Sequence, residues 1–311
     1  MKLVVPDLIS PSYFPVVAAA DLGFFRQEGL EVQVELLFPV NEAYRALRDG
    51  AVQFVGGSAH SALAAFPQFR GARLLAAQAQ GMYWFLVMRT DLQLHRGEIA
   101  GVRGRTIGAA PWVEMGLRAL LTAAGIDIER DRVRIIPVPG SQGAGVNFGV
   151  RAAQALEEGL IDGFWANGMG AEVAVRRGAG TLVLDVRRGD GPPGCFDYTF
   201  SSLACAERLL IESPDLAAAA VRALVRTQAA LRAEPQLATA VGRKRFPAPE
   251  AELIAELIRR DAPYYDATIP PASIAGMSRF AQQLGLIERE LAYADVVATR
   301  FASLWTSNRA G

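Results

Sequence analysis

The sequence predicts an α/β chain: two similar three-layer α/β lobes joined by two hinge crossings, with extra C-terminal helices. Three observations carry that expectation. The chain has 311 residues, more than the roughly 250–300 at which a single hydrophobic core stops growing, so about two domains are expected. Short β-branched runs alternate with helical stretches of about ten residues, the pattern of parallel strands joined through βαβ crossovers. An ordered set of features also occurs twice. Ala46-Leu47-Arg48-Asp49-Gly50 leads into an apolar run at 51–55, and Ala155-Leu156-Glu157-Glu158-Gly159 leads into another at 160–164. Upstream of these, Gly29-Leu30 precedes a strand pattern ending in Pro39, and Gly125-Ile126 precedes one ending in Pro139.

The elements follow in order. Residues 3–5 read as a short buried strand, and 15–27 carry apolar residues at helical spacing until Gly29 stops them. Residues 31–38 read as a strand, 41–48 as a short helix and 52–55 as a buried strand, after which Gly56-Gly57-Ser58-Ala59-His60 leads into a helix from about Ser61. The second lobe starts near Thr106 and has a strand over 133–138. Residues 83–90 form a hydrophobic strand long enough to cross between lobes, and 198–203, after the Gly-rich turn at 189–194, form a second crossing. Ser213-Pro214-Asp215 opens a helix with proline at its first position, and helices are expected over 217–232, 249–259, 271–284 and 291–305. The first lobe then takes residues 1–89 with 194–311, and the second 90–193.

Composition excludes several functions. Thirty-two Lys+Arg balance 32 Asp+Glu, without the basic excess that phosphate neutralisation requires, so no nucleic-acid partner is expected. Cys195 and Cys205 are the only cysteines, too few for a disulfide framework or a four-cysteine metal site. With two histidines in all, His60 and His95, no metal or cofactor is expected; His95, among charges, reads as exposed. The glycines of Gly143 to Gly149 have the wrong last interval for a dinucleotide loop and read as a flexible turn. The basic run at 242–245 reads as solvated surface between helices. The longest apolar stretches fall far short of the about 18–20 residues that span a bilayer. The chain is expected to be periplasmic if a signal peptide was removed, and cytoplasmic if Met1 is the native start.

In open α/β sheets ligands bind beyond the carboxyl ends of the strands, where helix N-termini present free N–H groups. That rule selects Ser10, Ser12, Tyr13, Asn41, Ser58 and His60 in the first lobe, with Tyr83 and Trp84 just before the first crossing. In the second lobe it selects Trp112, Glu114, Ser141, Gln142, Trp165 and Asn167, with Tyr198 before the return. Three of the four tryptophans fall in this set, which points to a stacking pocket for an aromatic or heteroaromatic solute; serines and helix starts would equally suit a sulfonate or nitrate. Trp84 and Trp165 lie on apolar strands and also read as core. Glu114 reads either as a helix-dipole partner or as an acceptor for an amine or amidine. His60 is divided between packing and ligand contact, and Gly56-Gly57 between close backbone approach to a ligand and a tight turn.

The sequence resembles the type II periplasmic binding-protein fold and, within it, the nitrate/sulfonate/taurine and thiamine-pyrimidine-precursor binding group. The resemblance is carried by Tyr13-Phe14-Pro15, Ala20-Asp21-Leu22-Gly23-Phe24-Phe25, Glu28-Gly29-Leu30-Glu31-Val32, the Asp49-Gly50 turn and strand, the stretch from Gly101 to Gly108, and the Ser213-Pro214-Asp215 helix start. It implies a solute-binding protein, acting as a monomer, that closes its lobes over a small molecule by hinge movement and presents it to an ABC permease in the membrane. It implies no enzymatic activity. The same fold houses the single-turnover pyrimidine synthase of fungal thiamine biosynthesis, which is similar around Ala59-His60. That family carries a lysine a few positions earlier and a cysteine cluster before the second crossing; here Gly56 and Gly57 stand in place of the lysine and Cys195 is alone in its stretch. The alternatives are an enzyme of that kind, a decarboxylase acting through His60, or a cytoplasmic ligand sensor.

Overall fold

The computed structural model describes residues 1–143 and 145–306. Its strands are β1 (Lys2–Val5), β2 (Gln33–Leu36), β3 (Phe54–Ser58), β4 (Ala72–Ala79), β5 (Phe85–Arg89), β6 (Thr106–Ala109), β7 (Arg134–Ile136), β8 (Gly163–Ala166), β9 (Gly180–Asp185) and β10 (Ser201–Ala206). Its helices are α1 (Phe14–Asp21), α2 (Phe24–Gln27), α3 (Val40–Arg48), α4 (Glu114–Ala123), α5 (Phe148–Glu157), α6 (Gly168–Arg176), α7 (Glu207–Glu212), α8 (Pro214–Ala233), α9 (Leu237–Arg245), α10 (Ala248–Asp261), α11 (Pro271–Gln283) and α12 (Tyr293–Val296).

Two five-stranded mixed sheets result, ordered β2-β1-β3-β10-β4 and β7-β6-β8-β5-β9. In the first, β1, β2 and β3 pair in parallel while β10 runs antiparallel to β3 and β4. In the second, β6, β7 and β8 are parallel and β5 runs antiparallel to β8 and β9. The orders are the same once β1 is matched to β6, β2 to β7, β3 to β8, β10 to β5 and β4 to β9. The repeated Gly motifs have one physical cause. Gly29, Gly50, Gly125 and Gly159 all have φ between 71° and 79°, the left-handed conformation that ends a helix. Each time the next residue's N–H turns back to a carbonyl five positions earlier: Leu30 to Phe25, Ala51 to Ala46, Ile126 to Leu121 and Leu160 to Ala155.

Chain contacts divide the molecule into Met1–Gly81 with Thr199–Gly311, and Met82–Tyr198. The boundaries expected at 89/90 and 193/194 therefore move. The run at 83–90 contributes β5, an interior strand of the second sheet, and β10 lies wholly in the first. Other expectations are also corrected. The helix expected over 15–27 breaks at Gly23, φ 82°, into α1 and α2. Gly56-Gly57 is not a turn, because β3 continues through both to Ser58. A Cβ on Gly56 would lie 2.9 Å from Val5 Cγ1 and 3.0 Å from Val16 Cγ2, and one on Gly57 would lie 3.2 Å from Tyr44 and Val40, so these glycines let α1 and α3 pack on β3.

Strands β4 and β9 escaped the sequence reading. β4 is buried along almost its whole length, so its two faces give no alternating pattern. The basic run at 242–245 ends α9, and its Arg245 forms a two-pronged ion pair with Asp21, at 2.5 and 2.7 Å. Instead of one helix over 291–305 there are the short α12, a single bridge pairing Val297 with Leu74, and a 3-10 turn at Thr299–Leu304. Gly149 belongs to the first turn of α5. Among the described residues, no helix is long and apolar enough to cross a membrane.

Candidate functional site

In the first unit the carboxyl ends of the parallel strands and the amino end of β10 share one edge of the sheet. Ser10, Ser12 and Tyr13 lie in the loop from β1 to α1 and are all buried. The loop is braced by Tyr13 N–H donating to the Ser10 carbonyl at 3.1 Å and by Tyr265 OH donating to the Pro11 carbonyl at 2.6 Å. Ser10 Oγ has no hydrogen-bond partner. Asn41 sits in the first turn of α3, where its Nδ2 donates to Glu42 Oε1 at 3.0 Å. That bond fixes the amide orientation and leaves the buried Oδ1 without a partner.

Ser58 ends β3. Its Oγ is 2.6 Å from Ser61 Oγ, and its carbonyl accepts from Tyr44 OH at 3.0 Å. His60, fully buried, places Nδ1 3.0 Å from Thr199 Oγ1 and Nε2 3.5 Å from Ser61 Oγ, with its ring edge-on to Phe280 at 5.4 Å. These contacts hold the imidazole ring in place.

In the second unit the loop from β6 turns at Trp112, whose φ of 70° is unusual for a bulky residue. The turn delivers Glu114 to the start of α4. Glu114 Oε2 is buried without a partner. Burial pushes the carboxyl pKa upward, against the smaller opposing pull of its own and the Trp112 backbone amides and of Arg118. Tyr83 and Trp84 precede β5 in a segment tied down by Met82 N–H donating to the Phe196 carbonyl at 2.8 Å. The ring centroids of Tyr83 and Trp84 are 5.0 Å apart, and those of Trp84 and Trp165 6.2 Å. Trp84 packs on α4, where a Cβ on Gly116 would come within 3.0 Å of its ring.

Trp165 is completely buried in β8, as the core reading had it, yet its Nε1 has no partner. Ser141 is buried with Oγ unpartnered, whereas Gln142 is exposed. Asn167 caps α6, its Oδ1 accepting from Met169 N at 2.9 Å and Gly170 N at 3.2 Å. Tyr198 is buried, which raises its hydroxyl pKa, with a smaller push from Cys195.

The structure thus brings Tyr83, Trp84 and Trp165 together, and Ser58 with His60. Ser10 and Tyr13 share one loop, joined by the Tyr13 N–H bond to the Ser10 carbonyl. Sequence reasoning missed Asp185 and Arg187, which follow from the unrecognised β9. Arg187, 5% exposed, lies with its guanidinium 5.4 Å over the Tyr83 ring. Asp185 accepts from Arg188 through Oδ2 at 2.8 Å, and its buried Oδ1 is unpartnered. Gln78, near the end of β4, donates Nε2 to the Ser202 carbonyl at 3.0 Å and leaves Oε1 unpartnered. Phe280 and Tyr265 come from the C-terminal helical region and carry no local signal. Among the described residues no group of three or more His, Cys, Asp or Glu is placed to hold a metal ion.

A two-sheet α/β architecture of this order is that of the periplasmic binding proteins, and solved structures share it over nearly the whole chain. The ligand-binding component of an ABC-type import system from Staphylococcus aureus, solved with zinc bound, is similar at TM-score 0.71 and 14% identity, covering 98% of each chain. The alkanesulfonate-binding protein SsuA from Xanthomonas axonopodis pv. citri, bound to MOPS, is similar at TM-score 0.71 and 13% identity, covering 95% of this chain and 97% of that one. A mutant of the desulfurization enzyme DSZB in complex with biphenyl-2-sulfinic acid is similar at TM-score 0.64 and 16% identity, covering 97% of both. At these identities the likeness establishes the fold. No curated protein matches the chain. The family model described as NMT1/THI5 like matches residues 10–238, and the chain belongs to that family.

Proposed function

We propose that this protein is a solute-binding protein of an ABC-type import system, taking up an aromatic or heteroaromatic small molecule without chemical change. Family membership and the likeness to import-system and sulfonate-binding proteins support the class. The observation that carries the solute reading is the set of buried, unpartnered polar atoms on the predicted edges: Ser10 Oγ and Asn41 Oδ1 in one unit, Glu114 Oε2, Ser141 Oγ and Trp165 Nε1 in the other. A buried polar atom without a partner costs about 1–3 kcal/mol, a cost a bound solute removes. The Tyr83, Trp84 and Trp165 cluster supports an aromatic ligand, at about 0.5–1.5 kcal/mol per ring pair beyond area burial. Residues 10, 12, 13, 41, 58 and 60 of the first unit and 83, 84, 112, 114, 141, 142, 165, 167 and 198 of the second form the proposed ligand set. The proposed mechanism is hinge closure, in which the ligand shifts the population by its greater affinity for the closed state. The proposed setting is periplasmic, with a membrane permease as partner.

Titrating tryptophan fluorescence with pyrimidines, aromatic acids and alkyl sulfonates tests this. Saturable quenching by an aromatic compound is expected, and a response to alkyl sulfonates alone would refute the aromatic assignment. The likeness to DSZB favours a second reading, an enzyme on the same fold. Product in place of unchanged ligand after incubation would establish it.

A further inference from the structure

The chain passes between its two units at Gly81–Met82 and again at Tyr198–Thr199. On the first unit's side both passages are held to the last residue. Gln80 N–H donates to the Tyr264 carbonyl at 2.8 Å, and its side-chain Nε2 donates to the carbonyls of Asp266 at 2.8 Å and Thr268 at 2.6 Å. Thr199, fully buried, is held by His60: its Oγ1 accepts from the His60 backbone N–H at 3.4 Å and lies 3.0 Å from His60 Nδ1. The His60 ring is itself fixed edge-on to Phe280 at 5.4 Å. On the second unit's side Met82 N–H donates to the Phe196 carbonyl at 2.8 Å. Between these anchors lie Gly81, with φ of 70°, in one passage and Asp197-Tyr198 in the other.

We propose that the chain pivots at Gly81 in one passage and at Asp197-Tyr198 in the other, and that His60 is a positioning residue that defines the second pivot by holding Thr199. The proposal rests on the hinge closure proposed above and adds the residues that set it. Hinges are a few residues between rigid elements that absorb a large φ/ψ change. Glycine crosses between left- and right-handed backbone at no steric cost, and Gly81 already sits on the left-handed side. Fixing the residues just before Gly81 and just after Tyr198 confines the bend to those positions. Without the Thr199 anchor the next fixed point is the Phe200 carbonyl, which accepts from Ala59 N–H at 2.9 Å. The bending segment then lengthens by one residue, and the two units sample a wider range of separations.

Leu160→Cys and Ile211→Cys place one spin label on each unit, at residues 50% and 77% exposed, while the native Cys195 and Cys205 are buried. Pulsed electron spin resonance then measures the distribution of label separations in the unliganded full chain, alone and with Thr199→Val or Thr199→Ser. Thr199→Val keeps the side chain's shape and removes Oγ1, and it is expected to broaden the distribution by about 1.5-fold. Thr199→Ser, which keeps the hydroxyl, is expected to show the wild-type width. A bond that only stabilises the fold would lower the melting temperature and leave the width unchanged. That result overturns the proposal, as does a broadening of equal size in Thr199→Ser. Because no ligand is present, either result leaves solute capture to be judged by its own titration. If Thr199→Val does not fold, backbone nitrogen relaxation in the wild-type chain decides: larger amplitudes at Gly81 and Tyr198 than at Gln80 and Thr199 are expected, and equal amplitudes overturn the proposal.

Discussion

Replacing Gly170 with alanine tests the packing that holds the second unit's loops in place. A Cβ at that position would lie 2.6 Å from the Gly149 carbonyl oxygen and 2.9 Å from its carbon and Cα. All three are backbone atoms, so no side chain can rotate away and α6 must move off α5. Overpacking of this kind costs about 1–3 kcal/mol. The upper end applies here because the contact is with main chain. Alanine returns about 1 kcal/mol through helix propensity, leaving a net loss of about 2 kcal/mol. That corresponds to a melting shift of about 8 °C where the unit Met82–Tyr198 unfolds cooperatively. The displacement also reaches the Asn167 cap, whose Oδ1 accepts from Gly170 N itself. Urea and thermal unfolding followed by circular dichroism measure the loss. Unchanged or increased stability would show that α5 and α6 do not depend on the glycine contact.

Three further outcomes are expected. Trp112→Gly relieves a bulky residue at φ 70° and should leave thermal stability unchanged or raise it by up to about 1 kcal/mol, while weakening aromatic ligands in fluorescence titration; equal loss of stability and affinity would make Trp112 structural. Asn167→Ala removes the α6 cap and should cost about 1 kcal/mol in urea unfolding; no change would refute the cap. Burial raises the Cys195 and Cys205 thiol pKa values to about 11 and about 12. Each raised pKa contributes stability that is complete below the unfolded value of about 8.5 and is lost as pH rises through the folded value. Cys205→Ala should therefore flatten the fall in stability between about pH 9 and pH 12, and both thiols should resist alkylation at pH 8; rapid labelling of the folded chain would contradict this.

Much of the architecture is legible in the sequence because its punctuation is local. Gly29, Gly50, Gly125 and Gly159 close helices through left-handed backbone, and the strand after each is a short apolar run. What escapes is what tertiary packing decides. The glycines of β3 look like a loop because glycine disfavours strands, but Val5, Val16, Val40 and Tyr44 fill the space their side chains would take. β4 and β9 return to the sheets beside antiparallel neighbours far off in sequence, β4 beside β10 and β9 beside β5.

The edge rule selects Ser10, Asn41, Glu114 and Ser141 on or just after loops and Trp165 near the end of β8, each of which has a buried polar atom without a partner, because the ends of parallel strands can be read from the strand pattern alone. It could not locate Asp185, Arg187 or Gln78, whose strands were unrecognised. Nor could it find Phe280 against His60, a contact that joins residues from α11 and the start of a 3-10 turn.

The central claim, reversible capture of a small aromatic solute, is tested most directly by isothermal titration of the purified chain with the best ligand of the fluorescence panel, followed by mass analysis of the compound released on denaturation. The account predicts one molecule bound per chain and a released compound identical in mass to the one added. A released compound of altered mass, or heat of binding from none of the panel, would contradict it.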